Sequence, residues 1–230
     1  SEIKSSPVVV GDKVLVGSYD SHLYAFGARD GKIAWKVQTE GYVHSTPAVV
    51  DGVAYIAGCD EVLRGIRIAD GREVFNFPSG AYTAASPAIH DGRAYYGTYD
   101  NEVLAVDLAS KKIAWRYEHP DRKFPFYSSA AISGDRLFIG GRDKMLHALD
   151  VKTGRALWTV TTRARIDSSP VVVGNRVYVG SGDGKLYVVD AASGKTTFEF
   201  EAGGAISASP AVVDGKLVVG STDGKLFCLG

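Results

Sequence analysis

The sequence predicts an all-β fold: a six-bladed β-propeller of four-stranded antiparallel blades, the sixth of them three-stranded. Three observations predict it. A Ser-Pro-like step recurs at Ser6-Pro7, Thr46-Pro47, Ser86-Pro87, Ser129-Ala130, Ser169-Pro170 and Ser209-Pro210, at intervals of 40, 40, 43, 40 and 40 residues. Short β-branched or aromatic runs follow each step, as in Pro170–Val173, Arg176–Gly180, Lys185–Val189 and Thr196–Glu199. Two-residue turns join the first two runs of each unit: Gly11-Asp12, Asp51-Gly52, Asp91-Gly92, Gly134-Asp135, Gly174-Asn175 and Asp214-Gly215. A period near 40 belongs to solenoids and propellers, and four strands per unit linked by tight hairpins select the propeller. No 3.6-residue period is sustained, which excludes a helical solenoid.

The repeat divides one domain, 1–230, into units of about 5–44, 45–84, 85–127, 128–167, 168–207 and 208–230. Each opens with an inner strand at the Ser-Pro step and crosses its hairpin to a second strand. An Asp stands thirteen residues after the Pro position in every unit: Asp20, Asp60, Asp100, Asp143, Asp183 and Asp223. These lie in the turn between the second and third strands. Six carboxylates on one face can ring a channel and attract a cation. The turn is the stronger explanation, because an Asp side chain there satisfies nearby backbone N–H groups. An aromatic stands twenty-eight residues after the Pro position in five units: Trp35, Phe75, Trp115, Trp158 and Phe198. The sixth would fall beyond Gly230, so the last blade is expected to lack its outer strand. Ser1–Lys4 is too short to supply it. The ring is expected to close by packing of blade six on blade one, leaving an edge at the third strand that invites pairing with another chain.

Composition narrows the function. The 230 residues are 45% hydrophobic, too apolar for disorder. No apolar run is long enough for a membrane span, and Ser1–Pro7 does not read as a signal peptide. Lys+Arg 26 balances Asp+Glu 26, so the electrostatic footprint of a nucleic-acid binder is missing. Cys59 and Cys228 form neither a disulfide framework nor a CxxC metal spacing. Cys228 shares its register with Ala25, Gly65, Ala105, Ala148 and Val188 and is expected to be packed; Cys59 sits at a variable turn position and is expected to label faster.

The turn and aromatic together, as in Asp150-Val-Lys-Thr-Gly154-Arg-Ala-Leu-Trp158 and Asp190-Ala-Ala-Ser-Gly194-Lys-Thr-Thr-Phe198, resemble the D-x-x-T-G-x-x-x-W blade motif of PQQ-like (pyrroloquinoline quinone-like) repeat propellers. The resemblance covers essentially the whole chain. It implies that Trp35, Trp115 and Trp158 dock between neighbouring blades, with Phe75 and Phe198 keeping that role. One branch of the family comprises quinoprotein dehydrogenases, which are longer, hold PQQ and Ca²⁺, and often carry adjacent cysteines. This chain has no adjacent pair and singles out no calcium-ligating set. The other branch, which includes the lipoprotein subunit of the bacterial β-barrel assembly machine, is non-catalytic and serves for docking. Resemblance to that branch implies a periplasmic or other extracytoplasmic location.

Catalytic constellations are thin. Of the five His, His90 lies at the first hairpin and His22 at the start of a third strand, while His147 replaces the Tyr or Phe of other repeats as a packed residue. His44, just before Ser45-Thr46-Pro47, should face the channel as a ligand, a base or a hydrogen-bonded rim residue. There is no nucleophile elbow and no phosphate loop. No catalytic residue, cofactor or metal site is expected.

Departures from the repeat mark the candidate site. Between Trp115 and Ala130 lie three extra residues, within Arg116-Tyr-Glu-His-Pro-Asp-Arg-Lys-Phe-Pro-Phe-Tyr127. Loops between outer and next inner strands share a face with the second-to-third-strand turns. On it the sequence collects Tyr42, His44, Tyr82, Phe124, Phe126, Tyr127, Arg142, Arg163 and Arg165. Aromatics and Arg are what binding hot spots favour. The expected partner is a protein or extended peptide, acidic enough to pair with Arg163 and Arg165, on a non-catalytic scaffold. The alternative is that the aromatics tuck back onto the propeller. From the residues alone, a small-molecule or quinone-binding sensor or enzyme and a structural piece of a longer propeller stay open.

Overall fold

The computed structural model describes residues 1–230 and contains strands and turns only. Blade one comprises β1 (Val8–Val10), β2 (Lys13–Ser18), β3 (His22–Gly27) and β4 (Ile33–Gln38). Blade two comprises β5 (Ala48–Val50), β6 (Val53–Ala57), β7 (Val62–Arg67) and β8 (Glu73–Pro78). Blade three is β9 (Ala88–His90), β10 (Arg93–Gly97), β11 (Glu102–Asp107) and β12 (Lys112–Glu118). Blade four is β13 (Ala131–Ser133), β14 (Arg136–Gly140), β15 (Met145–Asp150) and β16 (Ala156–Thr161). Blade five is β17 (Val171–Val173), β18 (Arg176–Gly180), β19 (Lys185–Asp190) and β20 (Thr196–Glu201). Blade six has three strands, β21 (Ala211–Val213), β22 (Lys216–Gly220) and β23 (Leu226–Leu229). Every sheet is antiparallel and ordered as the chain runs.

The local chemistry explains this regularity. In the Asp-Gly hairpins both residues take positive φ, 49° and 74° at Asp51-Gly52 and 50° and 74° at Asp214-Gly215, as the tight hairpin turn requires. Where the third strand meets the fourth, a bulge interrupts all five four-stranded sheets, as between Ala25 and Phe26. The bulge lies beside the outer-strand aromatic.

Trp indoles dock on the following blade as expected. Trp35 Nε1 donates to the Ile68 carbonyl at 2.8 Å, Trp115 to Val151 at 3.1 Å and Trp158 to Ala191 at 3.3 Å. Each ring lies on a glycine of the next blade. A Cβ at Gly71, Gly154 or Gly194 would approach the indole to 2.9, 2.6 or 2.7 Å. Inner strands are tied by a second device, in which the N–H at one Ser-Pro step donates to the hydroxyl at the next. Ser6 bonds Thr46 (3.0 Å), Thr46 bonds Ser86 (2.8 Å), Ser86 bonds Ser129 (2.9 Å), Ser129 bonds Ser169 (2.9 Å) and Ser169 bonds Ser209 (3.1 Å).

The core is a series of clusters between consecutive blades, from one–two through five–six. The expected closure of blade six on blade one does not occur. Leu226 is 76% exposed, whereas Leu23, Leu63, Val103, Leu146 and Leu186, its counterparts, are all 0%. Ile3 is 60% exposed where Val43, Ile166 and Ile206 are at most 2%. With neither an outer strand nor a following blade over β23, Cys228 is exposed too. The expectation that Cys228 is packed, and Cys59 the more accessible thiol, is therefore corrected: Cys59 is the half-buried one.

Candidate functional site

One backbone bond per blade builds the face bearing the linkers. The N–H of the residue preceding the repeat Asp donates to the linker that enters its blade: Tyr19 to Glu2, Cys59 to Tyr42, Tyr99 to Tyr82, Arg142 to Pro125, Gly182 to Arg165 and Thr222 to Ala205. Each bond sets two positions side by side on this face. The series is aromatic in blades one to three, basic in four and five, and small toward six. Linkers and second-to-third-strand turns do share a face, since Tyr19 of such a turn stacks on Tyr42 of a linker (centroids 4.7 Å, 7° between planes).

The aromatic half is partly ordered by polar contacts. The Tyr19 hydroxyl lies 2.7 Å from His44 Nδ1. Burial, with a contribution from Lys4, lowers the His44 pKa. Tyr99 packs edge-on against Tyr127 at 4.6 Å. Its phenol is pushed up to about 12 by burial first, and then by neighbouring phenols and Cys59. Burial likewise raises the Cys59 thiol, with Asp60 adding to the shift. Tyr42 and Tyr82 stay open to solvent, at 52% and 48% exposure.

Arg142 joins the two halves. Its guanidinium lies 3.5 Å over the centre of the Tyr127 ring and bonds Asp167 through Nε (2.9 Å) and Nη2 (3.1 Å). Arg165 reaches the same carboxylate at 3.0 Å. Arg163 is exposed, and its N–H donates to Asp183.

Eight of the nine sequence candidates thus lie at least partly open on this face; Phe126 does not. Phe126 is 1% exposed, packs on Gly97 and lies 5.2 Å from the His147 ring, so it is a core residue and leaves the set. Its neighbour Phe124 is 49% exposed. Sequence reasoning missed Tyr19 and Tyr99. The signal was present, since both occupy the position of Arg142, immediately before the repeat Asp, while Lys144, which immediately follows it, is legible as part of the basic sector.

The repeat Asp residues act as turn caps. Asp60, Asp143 and Asp183 each accept the N–H of the residue two further on. Four also meet the side chain four residues later: Asp20 with Tyr24 and Asp183 with Tyr187 (both 2.8 Å), Asp60 with Arg64, and Asp143 with His147 (2.9 Å). His147, Asp143 and Tyr117 form a buried polar group, the Tyr117 hydroxyl lying 3.1 Å from His147 Nδ1. The 2.9 Å approach of Nε2 to Asp143 is not aligned as a hydrogen bond. With His147 at 0% and Asp143 at 3% exposure, no substrate reaches this group, and it serves packing. No group of three or more His, Cys, Asp or Glu is placed to hold a metal. A concavity of about 840 Å³ lies away from this face, between blades five and six among Tyr178, Phe198, Val213 and Leu229.

With this geometry in place, known proteins show what the chain is similar to. A family model described as outer membrane protein assembly factor BamB matches residues 1–123 and 100–229. The structure of BamB from Moraxella catarrhalis superposes with a TM-score of 0.84 at 21% identity, over 99% of this chain and 72% of that one. A computationally designed protein, Ika8, superposes at 0.82 with 14% identity, over 97% and 70%. The quinohemoprotein alcohol dehydrogenase ADHIIG from Pseudomonas putida HK5 superposes at 0.72 with 18% identity, over 87% and 42%. In sequence, 70 residues are 39% identical to quinohemoprotein alcohol dehydrogenase ADH IIB of Pseudomonas putida, spanning 27% of this chain and 10% of that protein.

Proposed function

The chain belongs to the family of the outer membrane protein assembly factor BamB, and from that membership we propose that it is a non-catalytic docking scaffold that binds a protein partner on its linker face. The observation that carries this reading is the bonded series of paired positions on the linker face, which presents Tyr42, Tyr82 and Phe124 half-exposed on the same face as Arg142, Arg163 and Arg165. Exposed aromatics held by a rigid frame lose little conformational entropy on contact, and Arg adds planar polar recognition. The opposite face offers hairpins of Gly, Asp and Asn. The family's name, outer membrane protein assembly factor, supports a periplasmic or other extracytoplasmic location. The likeness to quinohemoprotein dehydrogenases in sequence is shorter than two repeats and reflects the shared blade.

The test is affinity capture from the source organism with three baits: the native chain, a Tyr42→Ala, Tyr82→Ala variant, and a Lys216→Ala variant on the opposite face. A partner captured by the native chain and by Lys216→Ala, but lost with the double variant, supports the reading. A partner set unchanged by the double variant overturns it.

A further inference from the structure

We propose that the cleft between blades four and five is a carboxylate receptor, which takes the acidic side chains of an extended peptide. The proposal rests on the reading of this face as a docking surface and gives that surface its chemistry.

The cleft, about 410 Å³, is lined by Arg142, Lys144, Arg163 and Arg165, with small Gly182 and Ala205 leaving its far side open. Four cations meet two carboxylates. Asp167 is shared by Arg142 and Arg165. Asp183 is already engaged by the N–H groups of Arg163 and Lys185 and by the Tyr187 hydroxyl. Neither Lys144 nor Arg163 has a carboxylate partner, and both are exposed. The cleft therefore carries an excess of positive charge in a chain whose net charge is zero.

The side chains of Arg142 and Arg165 are positioned before any ligand arrives. Arg142 is clamped between the Tyr127 ring and Asp167. The two unpaired residues are brought together by their backbones: the Lys144 carbonyl accepts both the N–H (2.8 Å) and the hydroxyl (3.1 Å) of Thr162, next to Arg163. Asp167 already demonstrates the ligand, a carboxylate held by two nitrogens of one guanidinium and by a second Arg. Such bidentate recognition is what the planar guanidinium provides. A nucleic acid would need a basic stripe that follows its backbone, whereas here the basic sector gives way to Tyr127 and Tyr99 on one side and to Gly182 and Ala205 on the other.

Fluorescence anisotropy with a labelled hexaglutamate peptide tests this. Hexalysine, inorganic phosphate and a single-stranded oligonucleotide serve as comparators. Hexaglutamate is expected to bind at low ionic strength and to weaken with added salt, as exposed charge pairs do. The Lys144→Ala, Arg163→Ala variant, which changes two exposed side chains, should bind about tenfold more weakly. Absence of hexaglutamate binding at low salt, equal binding by the variant, or displacement by phosphate or oligonucleotide rather than by unlabelled hexaglutamate would overturn the assignment. If hexaglutamate fails while Tyr42→Ala, Tyr82→Ala still abolishes partner capture, the carboxylate receptor falls and the docking face stands. The opposite pattern retains the cleft and removes the face.

Discussion

Tyr19 of blade one and His44 of the following linker are joined at 2.7 Å between the phenol oxygen and Nδ1, at a position where burial holds the imidazole pKa low. A neutral ring with its hydrogen on Nε2 accepts the Tyr19 proton, and protonation at Nδ1 removes that acceptor. Because the folded pKa is depressed, the unfolded chain takes up the proton first. His44 thus contributes stability above its unfolded pKa of about 6.5, and that contribution is lost as pH falls toward the folded value. An NMR titration should place the His44 midpoint below about 6.5, and Tyr19→Phe should move it upward. A midpoint unmoved by Tyr19→Phe would show that the phenol does not support the neutral ring.

The repeat supplies its own control for packing. Leu146 and Leu226 share one register but are 0% and 76% exposed. Leu146→Ala should cost about 2–5 kcal/mol in chemical denaturation, and Leu226→Ala no more than about 0.5 kcal/mol. Comparable losses would mean that Leu226 is covered in solution.

Cys228 should react with a thiol reagent faster than Cys59, because it is exposed while burial and Asp60 both raise the Cys59 pKa. Mass-resolved labelling of the native protein distinguishes the two. Faster modification of Cys59 would contradict the open seam at blade six.

His147→Leu should destabilise the fold by about 1–3 kcal/mol, because the buried Tyr117 hydroxyl loses its hydrogen-bond partner and the Asp143 carboxylate loses its polar neighbour at 2.9 Å. His147→Tyr should lose less, since Tyr187 makes the equivalent contact with Asp183 at 2.8 Å in blade five. Equal losses in thermal melts would show that volume rather than polarity sets the requirement.

The frame was readable because each landmark recurs with the same neighbours. Pro, Asp and aromatic positions predicted the strand order and the turns, and the family resemblance implied the Trp docking. The misreadings share a cause. The surroundings of Cys228 and Leu226 are set by what lies on β23 from outside the blade, which repeat register does not encode. Phe126 was hidden by the insertion. Counted back from Ala130 it falls four residues earlier, where Val43 stands before Pro47 and Ile166 before Pro170, both core positions. The partner of the repeat Asp escaped notice because Tyr24, Arg64, His147 and Tyr187 share a contact but not a residue class.

The three-residue insertion leaves the Ser86-to-Ser129 bond at 2.9 Å, inside the 2.8–3.1 Å range of the other inner-strand bonds. Linker length and blade spacing are thus uncoupled: chain added between Glu118 and Phe126 bulges outward without disturbing the strands it joins. Loop closure entropy rises only slowly with length, which makes such growth cheap. The stretch from His119 to Phe124 is accordingly a natural grafting position, where a foreign recognition loop could replace the existing one and inherit a rigid, basic-flanked platform.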